Sequence, residues 1–545
     1  MAKIILNCSG CCRYFCRKTN NKKIVFIMNN MLIPKPFKQE FSEGFFVLSS
    51  TAVICFADTA AEQPAQLLAD YLRPASGFVL PVQTAGTGNG NCIVLQTTAS
   101  GNAEEFPSEH YRISVKEHQI TLAGDTTEAL VRAIQTLRQL FPPEIYADTV
   151  QDVFWQITCQ EIDDSPAFRW RGMMIDSARH FFPKEQVCRM IELFAQHKIN
   201  IVHLHLTDDQ GWRVEIKKYP RLTGIGSVRL KTVVGHECDR PRKYDDTPYG
   251  GFYTQDDLRE IVDFAARRCI TLVPEIDMPG HMAAAICAYP DWGNFPENHV
   301  PVRPHWGISY QILSPRKEVI EAMKDILGEI MDIFPGKYIH VGGDEARKDE
   351  WEISPDAQEV MAEQGCRSEK ELQDYFTGEI NKFICSRNRR MLGWEEILND
   401  SLEKSSIILS WRNRNMEMAA VKRGISSIIA SRMFAYFDYY QADTRYEPVA
   451  GGECLPLEKV YQFRPLPDAL AEEDKKYILG GQGQLWSEYI PDGSHQEYMA
   501  FPRSCALAEK LWTPEKLCRL LDFKQRLQHH RRRLAVQRVN ACPLP

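Results

Sequence analysis

The chain has no apolar run approaching the ~18 residues that cross a bilayer as a helix. Its longest candidate, Phe45 to Ala57, is interrupted by Ser49, Ser50 and Thr51. It also lacks a strong charge of either sign. Over 545 residues, 65 Lys and Arg face 72 Asp and Glu, a formal charge of -7. Such a surface gives no general electrostatic reason to bind nucleic acid or anionic membrane. Paired cysteine spacing is missing as well. Four of the 17 cysteines cluster at Cys8, Cys11, Cys12 and Cys16 and the rest are scattered, which argues against a disulfide framework. Cys8-x-x-Cys11 supplies only half of the ligands that a structural zinc wants. A full signal peptide is not evident. Lys22 and Lys23 precede five apolar residues, Ile24 to Met28, short of the roughly 7–15 of an ordinary signal core. The expectation is that residues 1–35 form a tail, disordered or processed, and that the sequence leaves the compartment open.

What is present is an ordinary globular composition, 44% apolar and 25% charged, which excludes a disordered or fibrous chain. Residues 36–160 predict one α+β unit. Phe46 to Phe56 reads as a strand, and Glu62 to Tyr71 as a helix with Leu67, Leu68 and Tyr71 on one side. Tyr111–Val115 and Gln119–Leu122 have a hairpin pattern. Thr127 to Leu140 carries Leu130, Ile134 and Leu137 on one stripe and is stopped by Pro142 and Pro143. No catalytic constellation falls here, so the expected role is support.

From residue 165 to 512 short apolar runs alternate with helical patterns. Eight runs read as strands: Gly172–Ile175, Ile199–Leu206, Ile270–Ile276, Tyr338–Gly342, Met391–Trp394, Ile407–Trp411, Ser427–Ala430 and Ile478–Leu485. Thr254 to Asp257 and Ser368 to Glu371 read as capping boxes, and Ser314-Pro315 as a helix start. Eight β/α alternations predict an α/β fold, a (β/α)8 barrel. The competing open sheet lacks a Gly-rich phosphate loop after its first strand. Residues 513–545 read as a basic helix or tail whose Arg531-Arg-Arg533 face is solvated.

A barrel gathers its active site where the strands end. Just past the eight runs lie Asp176, Arg179 and His180; Asp208 and Asp209; Asp277 and His281; Asp344 and Glu345; Glu395 and Glu396; Arg412; Tyr436 and Asp438; and Trp486 and Glu488. Trp394 and Trp411 stand at strand ends too. Carboxylates after most strands, interleaved with tryptophans, exceed what helix capping requires and suit a polyhydroxylated, partly apolar ligand such as a sugar.

Two chemistries fit these residues. A glycoside hydrolase needs a proton donor and a group that stabilises a cationic sugar. Gly342-Gly-Asp-Glu345 offers both, if the glycines let the chain turn so that neighbouring carboxylates reach one pocket. Capping of the next helix is the plain alternative for Asp344 and Glu345. A metal-dependent hydrolase would use His203 and His205, two imidazoles on one strand face, with Asp208, His281 and His340 as further ligands. Strand histidines hydrogen-bonded within the barrel are the commoner arrangement.

Four segments carry a resemblance. Trp170-Arg-Gly-Met-Met-Ile-Asp-Ser-Ala-Arg-His180, His203-Leu-His-Leu-Thr-Asp-Asp-Gln-Gly-Trp-Arg213, Glu275-Ile-Asp-Met-Pro-Gly-His281 and His340-Val-Gly-Gly-Asp-Glu-Ala346 resemble the β-N-acetylhexosaminidases of glycoside hydrolase family 20. The resemblance implies a barrel preceded by a small α+β domain, exo-hydrolysis of terminal β-linked GlcNAc or GalNAc, and no cofactor or catalytic metal. It implies Glu345 as acid/base and Asp344 as partner of the substrate's 2-acetamido N–H. Tyr436 then bonds the acetamido oxygen, and Asp208 and His281 support Glu345. It also implies Trp394, Trp411 and Trp486 as walls around the sugar, Arg171 as anchor of the 3- and 4-hydroxyls, and Asp438 and Glu488 as contacts to the 4- and 6-hydroxyls. A carbohydrate is the implied partner, and a periplasmic or cell-envelope setting is compatible with it. An inactive sugar-binding barrel is disfavoured because every catalytic-type position is filled. Oligomeric state and the choice between GlcNAc and GalNAc are not readable.

Overall fold

A computed structural model describes residues 16–18, 24–26, 31–86, 90–98, 105–412, 414–467 and 470–543. Cys8, Cys11 and Cys12, and Lys22 and Lys23, lie outside them. Among the described residues no helix is long and apolar enough to cross a membrane. The chain forms two compact units.

The first unit contains the described residues up to Ala167 and Trp512–Val539. Its sheet has seven strands, in the order Lys38–Val47, Gln156–Asp164, Tyr111–Val115, Gln119–Gly124, Cys92–Thr97, Val53–Phe56 and Val82–Thr84. The expected single strand from Phe46 to Phe56 is two, because the chain turns at Ser49, where Ala52 N bonds the Ser49 carbonyl. Helices Glu62–Ser76 and Thr127–Leu140 bury their apolar stripes in the same core as the sheet. Residues 31–35 belong to this core rather than to a tail. Ile33 is fully buried, and its backbone exchanges two hydrogen bonds with the Gln139 side chain. The basic C-terminal helix, Leu520–Val536, is likewise not a solvated tail. Arg526 and Arg533 are buried and donate to the carbonyls of Leu32, Met31 and Gln139. An arginine can be buried where carbonyls satisfy its fork of donors.

The second unit is a closed barrel of eight parallel strands: Trp170–Asp176, Ile201–His205, Thr271–Glu275, Tyr338–His340, Arg390–Trp394, Ile407–Ser410, Ser426–Ile429 and Ile478–Leu485. Each coincides with one of the eight apolar runs. Barrel strands are covered on both faces, so they read as continuous apolar stretches rather than alternating ones. The first strand is buried at all seven positions and closes the barrel by pairing Trp170 to Ile175 with Gly480 to Leu485. Between strands, Thr254 caps Gln255–Ala266 in a full capping box. Ser368 caps Glu369–Ser386 with half of one, since Glu371 turns to Arg367. The helix expected from Ser314 begins at Lys317.

Candidate active site

Beyond the strands' carboxyl ends lies a cavity of about 180 Å³, small against the roughly 300–1,000 Å³ of drug-sized ligand sites. Ten of the eleven residues proposed from the sequence line it: Asp208, His281, Asp344, Glu345, Trp394, Trp411, Tyr436, Asp438, Trp486 and Glu488. The eleventh does not. Arg171 is the second residue of the first strand, five residues before its end, or about 16 Å from the mouth at the usual strand rise. Its guanidinium is spent on the carbonyls of Lys198 and Phe168. The arginine in the cavity is Arg179, beyond the same strand.

The loop after the fourth strand brings the two adjacent carboxylates together. Gly342 and Gly343 have φ of +62° and +97°, a region open to glycine. A Cβ on Gly342 would lie 1.7 Å from Asp277 Oδ1, and Gly343 N donates to that same oxygen at 3.0 Å. Glu345 itself stands at φ +48° and His281 at +55°, a conformation that costs energy outside glycine and clusters at functional sites. It turns His281 Nε2 to within 3.6 Å of Glu345 and 3.9 Å of Asp344.

Behind them His281 Nδ1 meets Asp208 Oδ1 at 3.2 Å. Asp208 Oδ2 receives Arg179 at 2.7 Å and His205 at 3.0 Å. Arg179 also pairs with Asp176 at 3.1 Å, lies 3.9 Å from Glu488, and covers the Trp486 ring at 5.0 Å. Asp208, not Asp209, faces the cavity. The short hairpin pairing Thr207 with Trp212 and Asp208 with Gly211 fixes this, and Asp209 instead accepts from the backbone N–H of Ala283 and Ser309.

The walls are aromatic. Trp394 is 1% exposed and anchored by its indole N–H to Glu275 at 2.9 Å. Trp411 bonds Glu396 at 3.3 Å and stacks at 23° on Tyr436. Trp486 lies 5.7 Å from Trp394 and 6.5 Å from Tyr436. His205, Asp277 and Tyr439 complete the lining; nothing in the sequence marks out Tyr439, because it follows no strand directly.

The acids differ in environment. Burial, and then the charge of Asp277, push the Asp344 carboxyl well above the usual aspartate range. Asp277 is itself pushed up to about 7 by burial. Burial also raises Glu345, but the facing His281 and Arg179 outweigh it and hold Glu345 below its ordinary value. Asp208 is held far down against its burial by Arg179 and His281, and its charge keeps His281 protonated well above the ordinary imidazole value. The two neighbouring carboxyls are thus pushed in opposite directions, Asp344 up and Glu345 down. Asp438 is raised by burial and by Glu488, and Tyr436 by burial and by Asp438, so the phenol is a donor.

Two sets of groups at the cavity have ligand atoms within 4.8 Å of one another and could hold a metal ion, Asp208–Asp209–His281 and Asp277–His281–Asp344. His203, Glu275 and His340 form a third inside the barrel. His203 and His205 both face Glu275, and His205 also lines the cavity with its Nε2 on Asp208.

Two adjacent carboxylates and an aromatic wall at the mouth of a (β/α)8 barrel place the protein among the barrel glycoside hydrolases. The sequence model described as "Glycosyl hydrolase family 20, catalytic domain" matches residues 168–515, and that of the family's domain 2 matches residues 29–165; the chain belongs to glycosyl hydrolase family 20. It is 36% identical over 517 residues to a beta-hexosaminidase of Porphyromonas gingivalis, covering 94% of this chain and 64% of that protein. A beta-hexosaminidase of Vibrio furnissii is 35% identical over 482 residues, 88% of this chain and 76% of that one. Among solved structures, an exo beta-N-acetylglucosaminidase from Vibrio harveyi in complex with N-acetylglucosamine superposes with a TM-score of 0.82 at 32% identity, covering 94% of this chain and 78% of that one.

Proposed function

We propose that the chain is an exo-acting β-N-acetylhexosaminidase that releases terminal, non-reducing, β-linked GlcNAc or GalNAc with retention, using the substrate's own acetamido group as nucleophile. The observation that carries this reading is the convergence of Asp344, Glu345 and Tyr436 on one small aromatic-walled cavity. The beta-hexosaminidase relatives and the Vibrio harveyi structure support it.

In the first step the acetamido oxygen attacks C1 and the bond from C1 to the leaving oxygen breaks. Glu345 gives that oxygen its proton. Asp344 takes the acetamido N–H and faces the positive charge of the oxazolinium-like ring, a preorganised electrostatic role. Tyr436 donates to the acetamido oxygen and orients it. In the second step Glu345 takes a proton from water, whose oxygen attacks C1 and reopens the ring. A nucleophile tethered to the same sugar is close and oriented in advance. The amide N–H of a bound sugar favours the ionised form of Asp344, while covering Glu345, whose side chain is 30% exposed, favours its neutral form.

Arg179, Asp438 and Glu488 also line the cavity and are assigned the hydroxyls farthest from the bond that breaks. Arg179→Lys is expected to lower kcat/KM by about tenfold to hundredfold, since it loses a bidentate charge-assisted contact. Arg171→Lys should leave KM unchanged and lower only the melting temperature. Steady-state kinetics and thermal melts on both variants separate the two arginines; a raised KM in the Arg171 variant alone would reverse the assignment.

A panel of nitrophenyl glycosides with and without chelator tests the whole reading. N-acetyl-β-glucosaminide or galactosaminide should be cleaved at the same rate in EDTA, and the β-glucoside should not be cleaved. Loss in EDTA restored by zinc would favour a metal hydrolase, and no turnover at all would favour a binding barrel.

A further inference from the structure

Behind His281 and Asp208 stands a second carboxylate–imidazole pair. His205 ends the second barrel strand and Glu275 ends the third. Their side chains are 1% and 0% exposed. His205 Nε2 lies 3.0 Å from Asp208 Oδ2, and its Nδ1 is hydrogen-bonded to Glu275 Oε2. Glu275 is held from three further sides, by His203 at 3.0 Å, His340 at 2.9 Å and the Trp394 indole N–H at 2.9 Å. Carboxylates and imidazoles thus alternate in single file through Glu275, His205, Asp208, His281 and Glu345.

On the functional reading above, we infer that His205 and Glu275 are positioning residues for the acid/base: Glu275 orients His205, His205 fixes Asp208, and Asp208 aims His281 at Glu345.

The register of the barrel builds this file. His205 pairs directly with Glu275, and Glu275 with His340, across neighbouring parallel strands, so the three side chains share one interior layer. Such groups are set in place by folding and need no reorganisation when the sugar binds. Asp208 needs the support. Its Oδ2 has two partners, Arg179 and His205, and Arg179 is divided among Asp176, Glu488 and Gln210 as well. Without His205 a short two-torsion side chain would be held on that side by a shared guanidinium alone. His281, with its backbone at φ +55°, cannot compensate cheaply by shifting its main chain. The charges agree with the geometry. Glu275 is held well below its usual range against burial by the surrounding imidazoles, chiefly His205, while Glu275 and Asp208 keep His205 protonated well above its ordinary value. Removing one member of a buried charged file leaves its neighbours unpaired, which is why each should be felt at the far end.

The test is a double-mutant cycle on the full chain with leaving-group series. His205→Gln and Glu275→Gln should each lower kcat by about tenfold to hundredfold, part of the 10²–10⁴ that acid–base catalysis supplies, with KM within about threefold of wild type. The loss should grow as the leaving group worsens from dinitrophenyl to alkyl, because the defect lies at the proton donor. Adding His205→Gln to Asp208→Asn should change kcat by less than about twofold, since residues acting through one another are not additive. Equal losses for every leaving group, or additive losses in the cycle, overturn the inference, as does wild-type kcat in a His205→Gln protein with native melting. Within one soluble preparation the leaving-group trend distinguishes a misaimed acid from partial misfolding, which scales all substrates alike. If wild type cleaves no N-acetyl-β-hexosaminide, the functional reading fails first and separately.

Discussion

Asp344→Asn is expected to lower kcat by about 10²–10³-fold or more, the loss typical of removing one preorganised partner of developing charge, with a charged partner at the upper end. The variant keeps the shape of the side chain but not the charge that faces the oxazolinium-like ring. Sugar affinity should change far less, because Arg179, Glu488 and the walls of Trp394, Trp411 and Trp486 remain. A thiazoline that mimics the cyclised intermediate should inhibit wild type strongly and the Asn variant weakly, since such mimics draw on transition-state contacts. The pH profile adds a sign. Asp344 must be ionised to accept the amide N–H, and burial raises its carboxyl above the ordinary range. The acid limb of kcat/KM, which reports the free enzyme, should therefore lie above ordinary aspartate values, with activity rising as pH increases through it. That limb should vanish in Asp344→Asn. A glycosyl ester trapped on Asp344 by mass spectrometry, or glucosides cleaved as fast as their N-acetyl counterparts, would refute the mechanism.

For Glu345→Gln the expected result is selective. Disaccharides and alkyl glycosides should lose about 10²–10⁴-fold in turnover, the usual worth of a positioned general acid. Dinitrophenyl glycosides, which depart without a proton, should lose much less in the first step and then stall in the second, where the same carboxylate activates water. Pre-steady-state kinetics should show a burst with activated substrates. Losses that are equal across leaving groups would show that Glu345 is not the acid.

The two variants probe neighbours whose difference was only half legible. Gly342-Gly-Asp-Glu345 announces a turn that brings two carboxylates together, but the sequence alone also allows them to be a helix cap and a first-turn acid. The left-handed backbone at Glu345 and at His281, which aims those side chains toward each other, has no counterpart in a sequence that places glutamate and histidine there. Arg171 and Arg179 make the same point. Arg171 lies within the first barrel strand and Arg179 just past it, and a contiguous motif contains them both. Only the strand's direction and length put one at the barrel floor and the other at the mouth. Asp208 and Asp209 are equivalent in sequence until a six-residue hairpin, Thr207 to Trp212, turns one inward. Tyr439 reaches the cavity from a two-residue strand, Tyr439–Tyr440, in a stretch with no periodic signal.

The sequence by itself determined the eight-stranded barrel, the α+β unit before it, and ten of the residues that line the cavity. Those follow from local properties: buried parallel strands are uninterrupted apolar runs, and chemistry-bearing side chains collect where such runs stop. The tertiary structure alone decided which arginine faces the cavity, that Arg526 and Arg533 are buried in the first unit, and that His203 and His205 converge on Glu275. Each of these depends on a partner distant in sequence: backbone carbonyls near residue 31 for the two buried arginines, and a glutamate some seventy residues on for the histidines. Burial of a charge is settled by whether such a partner arrives, and that is a property of the assembled fold rather than of any segment.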